Sequence, residues 1–308
     1  MTQSIIIDCD PGVDDAIALL LAFASPDLKV LGITTVAGNV PLTLTQANAR
    51  RICELAGQTT VPVYAGCPRP IMRSLTTAED IHGKTGLEGV ELPEPTMPLQ
   101  PQHGVDFLIE TLMNSAGDII LATLGPLTNI AIALIKEPRI AAKISKLVLM
   151  GGSTTEGNVT PSAEFNIYVD PHAAHVVFTS GIQITMIGLN VTHQVLTTAA
   201  RRERIRAIAT PVSQVAADLL SRYGTQEVER GMAGSPLHDP CVIAYLLQPD
   251  LFTGHPVFVE VETGSELTMG RTVVDAWRRG DRPPNANVIQ TVDANGFYDL
   301  LTTRLARL

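Results

Sequence analysis

The 308-residue chain has few cysteines: Cys9, Cys53, Cys67 and Cys241, with no two at CxxC spacing. That excludes a paired-cysteine zinc site and a disulfide framework, and it fits a reducing compartment. Long apolar runs are missing. The longest, residues 16–24, falls well short of the about 20 residues that cross a bilayer. The opening MTQSIIIDCDPG has no basic leader, signal-like apolar centre or small-residue cleavage site. The expectation is a cytoplasmic protein with no membrane partner. Basic charge is also scarce, with 22 Lys and Arg against 31 Asp and Glu, a net charge of −9. Binding to a phosphate backbone needs a basic footprint, so nucleic acid is not an expected partner. The most basic stretch, Arg201-Arg202-Glu203-Arg204-Ile205-Arg206, reads as a solvated helix face, with a regulatory anion site as the lesser alternative. Neither GxxxxGK[ST] nor a GxGxxG after the first strand occurs, so nucleoside triphosphates and dinucleotides are rejected as ligands.

What is present is apolar material, 45% of the chain against 17% charged residues, which excludes a disordered polymer. Apolar, β-branched runs at 4–8, 30–36, 61–64, 119–123, 147–150 and 184–187 predict strands. Between and after them, 14–24, 43–55, 105–113, 129–135, 171–178, 199–209, 212–223 and 239–247 predict helices. Strands alternating with helices imply βαβ units. Nearly continuous apolar strands imply a sheet covered on both faces. The fold class is therefore α/β: a Rossmann-like, mostly parallel sheet flanked by helices. No linker is visible, so residues 1–308 read as one domain. Two irregular stretches, 65–104 and 151–170, interrupt the pattern, and loops of that length are usually functional or mobile. In such a sheet ligands bind beyond the carboxyl ends of the strands. That rule selects residues 9–15, 37–40, 124–128, 151–166 and 190–193.

The first of these loops carries the strongest signal. Asp8-Cys9-Asp10-Pro11-Gly12-Val13-Asp14-Asp15 puts four carboxylates in eight residues, between a buried strand and a helix start. Crowded carboxylates raise one another's pKa unless a cation neutralises them. A helix N-terminus helps one or two acids by about 1 kcal/mol, not four. A hard divalent cation with oxygen ligands, Ca²⁺ or Mg²⁺, answers the crowding. The plainer alternative is Asp14 as a helix cap beside a solvated turn.

Extended to Leu19, the segment resembles the DxDPGxDDAxAL opening of the inosine-uridine-preferring nucleoside hydrolase family. Further blocks follow in family order: Thr35-Val36-Ala37-Gly38-Asn39, His82-Gly83-Lys84-Thr85-Gly86-Leu87, Gly125-Pro126-Leu127-Thr128-Asn129 and Met150-Gly151-Gly152. After them come the run Asn158 to Asn166, Asp170-Pro171 and His238-Asp239-Pro240. An ordered set over nearly the whole chain is specific. Cys9 stands where Thr is common in the family. Strand alternation turns its side chain away from the acids.

The resemblance implies the nucleoside hydrolase fold and Ca²⁺-dependent hydrolysis of the N-glycosidic bond of ribonucleosides. The partner would be a small ribonucleoside, and the assembly a homo-oligomer, tetramer or dimer. It implies that Asp10, Asp15, Asp239 and the Leu124 carbonyl hold the metal, and that Asp14 is the general base toward water. Asn39, Asn158, Glu164 and Asn166 would hold the ribose hydroxyls, with Met150 and Phe165 lining the sugar pocket. Asp8 would order the loop from behind. Positive charge develops on the sugar and negative charge on the base, which calls for a proton donor. His238, beside Asp239, would serve, and His82 would close over the base. His103, His172, His175, His193 and His255 read as ordinary histidines. Trp277 is the only tryptophan. The family's purine-specific branch stacks the base on tryptophans, so a pyrimidine-preferring or broad enzyme is expected. Tyr223, Gln226, Glu227 and Arg230 are candidates for tuning base choice.

Two other readings compete. A Mg²⁺-dependent DxD phosphotransferase would use Asp8 as nucleophile, but Pro11-Gly12 followed by two more acids, and the later run to Asn166, tell against it. A silent nucleoside- or sugar-binding protein on the same fold would be expected to have lost Asp14 or a metal ligand, and none is missing here.

Overall fold

The computed structural model describes residues 2–229 and 231–308, apart from the side chains of Gln226 and Glu227. Arg230 thus lies outside the described residues, as do the side chains of Gln226 and Glu227. The chain opens with β1 (Gln3–Cys9), α1 (Val13–Phe23), β2 (Leu28–Thr35), α2 (Leu42–Leu55) and β3 (Val63–Ala65). The first irregular stretch holds α3 (Glu79–His82) and ends at β4 (Leu99–Gln100). Then come α4 (Gly104–Met113), β5 (Ile119–Thr123), α5 (Thr128–Lys136) and β6 (Ile144–Met150). The second irregular stretch leads to α6 (Phe165–Val169), α7 (Pro171–Phe178), β7 (Ile184–Ile187) and α8 (Leu189–Thr192). The helical part follows: β8 (Leu196–Thr197), α9 (Ala199–Arg206), α10 (Pro211–Arg222), α11 (Thr225–Glu229), β9 (Ser235–Pro236) and α12 (Pro240–Leu247). The end is β10 (Phe252–Val257), β11 (Val259–Val261), β12 (Thr272–Val274), β13 (Ala286–Val292) and α13 (Ala294–Leu305).

The main sheet runs β10-β13-β7-β6-β5-β1-β2-β3-β4. Every neighbouring pair in it is parallel except β10 with β13 at one edge. The chain winds outward from β1 to β4, returns to β5 beside β1, and winds outward the other way. The order therefore reverses between β1 and β5, and a crevice opens beyond their carboxyl ends.

Strand alternation divides the interior. On β1, Ile5, Ile7 and Cys9 point into one core with α1, α12 and α13, and Ile6 into the other with α4, α5 and α7. Helix α1 is apolar nearly all round and lies deep in the first core; Val13 to Ala22 are all buried. Burying each large aliphatic side chain contributes about 1.5–3 kcal/mol. That burial carries Asp14 and Asp15 out of solvent with the helix. Among the described residues, no helix is long and apolar enough to cross a membrane.

The basic stretch falls on α9, and three of its four arginines are engaged. Arg201 stacks on Tyr298 and donates to Asn295, Arg204 pairs with Asp299, and Arg206 with Asp218. Nothing in these contacts favours an anion site there.

Candidate active site

The crevice contains a cavity of about 250 Å³. Its floor comes from the loops after β1 and β5, one wall from the 151–166 stretch and α6, and the other from α3 and the region before α12.

The floor is acidic. Helix α1 begins at Val13, so Asp15 is its third residue and turns back to close the turn. Asp15 Oδ2 accepts from the Gly12 amide at 2.9 Å, and Oδ1 from the Asp10 amide at 3.2 Å. Capping therefore falls to Asp15, and Asp14 is left facing the cavity. Carboxylate oxygens of Asp14, Asp15 and Asp239 lie within 4.8 Å of one another, all buried. Asp10 is not in that tight group but is close enough to feel it. Burial first, then the charge of Asp15, pushes its carboxyl well above the usual range. Burial, then Asp14, pushes Asp15 up to about 7. Burial, then Asp14 and Asp15, raises Asp239 strongly.

The fit to a cation rests on two further facts. Asp10 Oδ2 accepts from the Asn39 amide at 2.7 Å, but Asp10 Oδ1 is buried with no hydrogen-bond partner. A Cβ added at Gly38 or Gly125 would overlap the Asp10 carboxylate, so both glycines make room for it. The donor set is all oxygen and strongly negative, which suits a hard divalent ion.

Asn39 and Asn166 frame the floor. Asn39 Nδ2 donates to Asp15 Oδ2 at 3.0 Å and to the Asp10 carbonyl at 3.2 Å. Asn166 Nδ2 donates to the Leu124 carbonyl at 2.7 Å and to the Met150 carbonyl at 3.2 Å. Leu124, Met150, Asn158, Glu164, Phe165 and Asn166 all line the cavity. Asn158 Oδ1 accepts from the Phe165 amide at 3.0 Å, and Glu164 caps α6. Burial holds the Glu164 carboxyl up at about 7, against the pull of three backbone amides.

Both candidate histidines line the same cavity. His82 Nδ1 accepts from the Val13 amide at 3.1 Å and lies 4.0 Å from Asp14 Oδ1. An N–H donor facing Nδ1 leaves the ring hydrogen on Nε2. His238 Nδ1 lies 2.8 Å from Thr192 Oγ1. Burial pulls the His238 ring down to about 4, against the opposing pull of Asp14. The ring is therefore neutral at neutral pH. His193 stands 5.9 Å from His238, centroid to centroid, and is closer to the site than its ordinary reading suggested. Tyr223 lines the cavity 5.4 Å from the His82 ring, whereas Trp277 is exposed and does not line it.

Asp8 sits behind the floor. Its Oδ2 accepts from Thr34 at 2.5 Å and Asn129 at 2.7 Å, and burial raises it to about 7. Cys9 points the other way, toward the Thr34 carbonyl. Sequence reasoning missed Thr192 and the tie from Asn129 to Asp8. Asn129 was visible only as the end of the 125–129 block, and Thr192 only as a member of the 190–193 loop, with nothing tying it to His238. Thr77, Ala78 and Ile81, which also line the cavity, came without a motif.

The sequence profile of the family described as inosine-uridine preferring nucleoside hydrolase matches residues 5–299. An uncharacterized protein of Schizosaccharomyces pombe is 49% identical over 309 residues, covering 99% of this chain and 100% of its own length. The protein named pyrimidine-specific ribonucleoside hydrolase RihA of Photobacterium profundum is 48% identical, covering 99% of each chain. Among solved structures, a purine-preferring ribonucleoside hydrolase from Gardnerella vaginalis superposes with a TM-score of 0.93 at 35% identity, over 99% of this chain and 98% of its own.

Proposed function

Because this chain belongs to the inosine-uridine preferring nucleoside hydrolase family, and is an N-ribohydrolase, we propose that it cleaves pyrimidine ribonucleosides with the help of a bound Ca²⁺. The observation that carries this reading is the buried carboxylate group on the cavity floor, with Asp10 Oδ1 left without a partner. Asp10, Asp15, Asp239 and the Leu124 carbonyl would hold the cation. When bound, it supplies a positive charge that acidifies a water and orients the ribose hydroxyls. The chain's own residues do the rest. Asp14, the α1 acid not engaged in capping, takes the proton from the attacking water. Asn39, Asn158, Glu164 and Asn166 hold the ribose, each offering the acceptor or donor that a hydroxyl needs. Positive charge on the sugar ring develops beside Asp14 and Glu164.

On the base side, His82 is an Nε2–H donor by virtue of its bond from Val13. With the Thr192 hydroxyl donating to Nδ1, His238 is one as well. Both rings then offer an Nε2–H hydrogen bond to the departing base; to deliver a full proton, the His238 ring must first take one up, which the charge of Asp14 favours and burial opposes. Pyrimidine preference is supported by the RihA relative at 48% identity and by the lone tryptophan standing outside the cavity. Four free cysteines support a reducing, cytoplasmic setting, and a role in nucleoside salvage follows from the reaction. The sharing of one sheet by both cores supports a single domain over 1–308. We read the assembly as a homo-oligomer, dimer or tetramer, on the strength of the family resemblance.

The test has two parts. Metal analysis of purified protein should find one Ca²⁺ per chain, lost in Asp10→Asn and Asp239→Asn. A panel of nucleosides should rank uridine and cytidine above inosine and adenosine in kcat/KM. A metal-free active protein, or purines ranked first, overturns the corresponding half.

A further inference from the structure

We propose that Arg73 is a positioning residue that clamps the base-side strap of the cavity to the helix of the ribose wall. Between β3 and α3 the chain runs through residues 66–78 without regular structure. Its far end delivers Ala78, Ile81 and His82 to the cavity. A segment of this kind does not hold a ring in place by itself, because an irregular backbone has no ladder of its own. Its attachments decide where His82 stands.

The attachments are spread along its length. The Cys67 amide donates to Asn129 Oδ1 at 2.7 Å, the Ile71 amide to Asp170 Oδ2 at 2.8 Å, and the Ala78 amide to the Asn39 carbonyl at 3.0 Å. Arg73 supplies the tie at the middle. Its Nη1 donates to the Tyr168 carbonyl at 2.8 Å, and its guanidinium lies 4.0 Å from the centroid of the Tyr168 ring. Two contacts to one residue fix both the position and the plane of the guanidinium, a pairing for which Arg is better suited than Lys.

Tyr168 is a firm anchor. It belongs to α6, the helix that begins at Phe165 and carries Asn166, and its amide donates to the Glu164 carbonyl at 2.9 Å. A Cβ built on Gly270 would come within 2.8 Å of the Tyr168 Cα, so the turn around Gly270 backs the helix from behind. Arg73 therefore joins the wall that carries His82 to the wall that carries Glu164 and Asn166. Neither Arg73 nor Tyr168 lines the cavity. The clamp acts through the strap, on the half of the site that meets the base.

The inference rests on the assignment of a ribose side and a base side to the cavity, and its test separates the two. Ribose release from uridine and inhibition by free ribose are measured for the wild type, Arg73→Ala and Arg73→Lys. Arg73→Ala should raise KM for uridine about tenfold, equivalent to about 1.4 kcal/mol. The inhibition constant of ribose should stay within about twofold, because α6 keeps its own contacts. Arg73→Lys, which keeps the charge but loses the planar stack, should fall between. In a Tyr168→Leu background, Arg73→Ala should cost less than it does in the wild type. An active wild type with KM unmoved in Arg73→Ala overturns the inference and spares the parent reading. KM and the ribose constant rising together also overturn it, because that is general loosening of the site. A wild type that neither releases ribose nor is inhibited by it overturns the parent reading, and the inference with it.

Discussion

Replacing Glu164 by Gln probes the proposed ribose wall with a sign that depends on pH. Glu164 Oε2 accepts from the Gly152 amide at 2.9 Å and the Ile167 amide at 3.3 Å, and Oε1 accepts from the Asn166 amide at 2.9 Å. A glutamine offers one oxygen and one NH₂, so at least one buried backbone N–H would face a donor. Leaving such a group unpaired costs about 1–3 kcal/mol. Against this stands the burial that holds the wild-type carboxyl at about 7, up from 4.5. The folded state binds this proton more tightly than the unfolded chain does. The stability it contributes is therefore complete below about 4.5 and is lost as pH rises through about 7. At 1.36 kcal/mol per pH unit, the wild type gives up about 2–3 kcal/mol between about pH 5 and pH 8. Glutamine does not titrate, and the Asp14 charge that also raises the wild-type carboxyl is a smaller cause than its burial. The stability difference should thus move by about 2–3 kcal/mol in the variant's favour over that range. Urea unfolding of both proteins across the range reads it directly. Parallel stability profiles would refute the reasoning.

Other outcomes follow from the proposed roles. Asp14→Ala should lower kcat by about 10²–10⁴ while the protein still folds and binds Ca²⁺, because only the base is lost; calorimetric titration and steady-state kinetics read the two halves. His238→Ala should slow natural nucleosides far more than a nitrophenyl riboside, whose leaving group needs no proton, and equal losses would assign the ring to positioning. Deoxyuridine should show a much lower kcat/KM than uridine, because the 2′-hydroxyl is gone. Comparable values would contradict the assignment of ribose contacts on the floor and wall.

The sheet was legible because its strands are buried on both faces and read as apolar runs: β1, β5, β6 and β7 fall within a residue or a few of where the sequence puts them. What stayed hidden was made by tertiary contact. Strand β4 is two residues long and exists through its pairing with Val63 and Tyr64. Helices α3 and α6 are single short turns inside stretches rich in Gly, Pro and Ser. The antiparallel pairing of β10 with β13 follows from the sheet edge, not from either segment. Within the candidate site, the four acids of residues 8–15 spoke for themselves because their crowding is local. Which of them caps the helix did not, since α1 starts at Val13, one residue before the expected start, and that single step gives the cap to Asp15. Thr192 lies 46 residues from His238 in sequence, and no local pattern links a threonine to a histidine at that distance. Arg73 and Tyr168 are likewise joined only by the fold.

The central claim is that a divalent cation on the acidic floor lets this chain hydrolyse a pyrimidine ribonucleoside. The most direct measurement is release of reducing sugar from uridine, with excess Ca²⁺ and in parallel after chelation. Ribose released with Ca²⁺, lost on chelation and restored by adding Ca²⁺ back is the predicted result. Release that is indifferent to chelation, or no release from uridine under either condition, would contradict it.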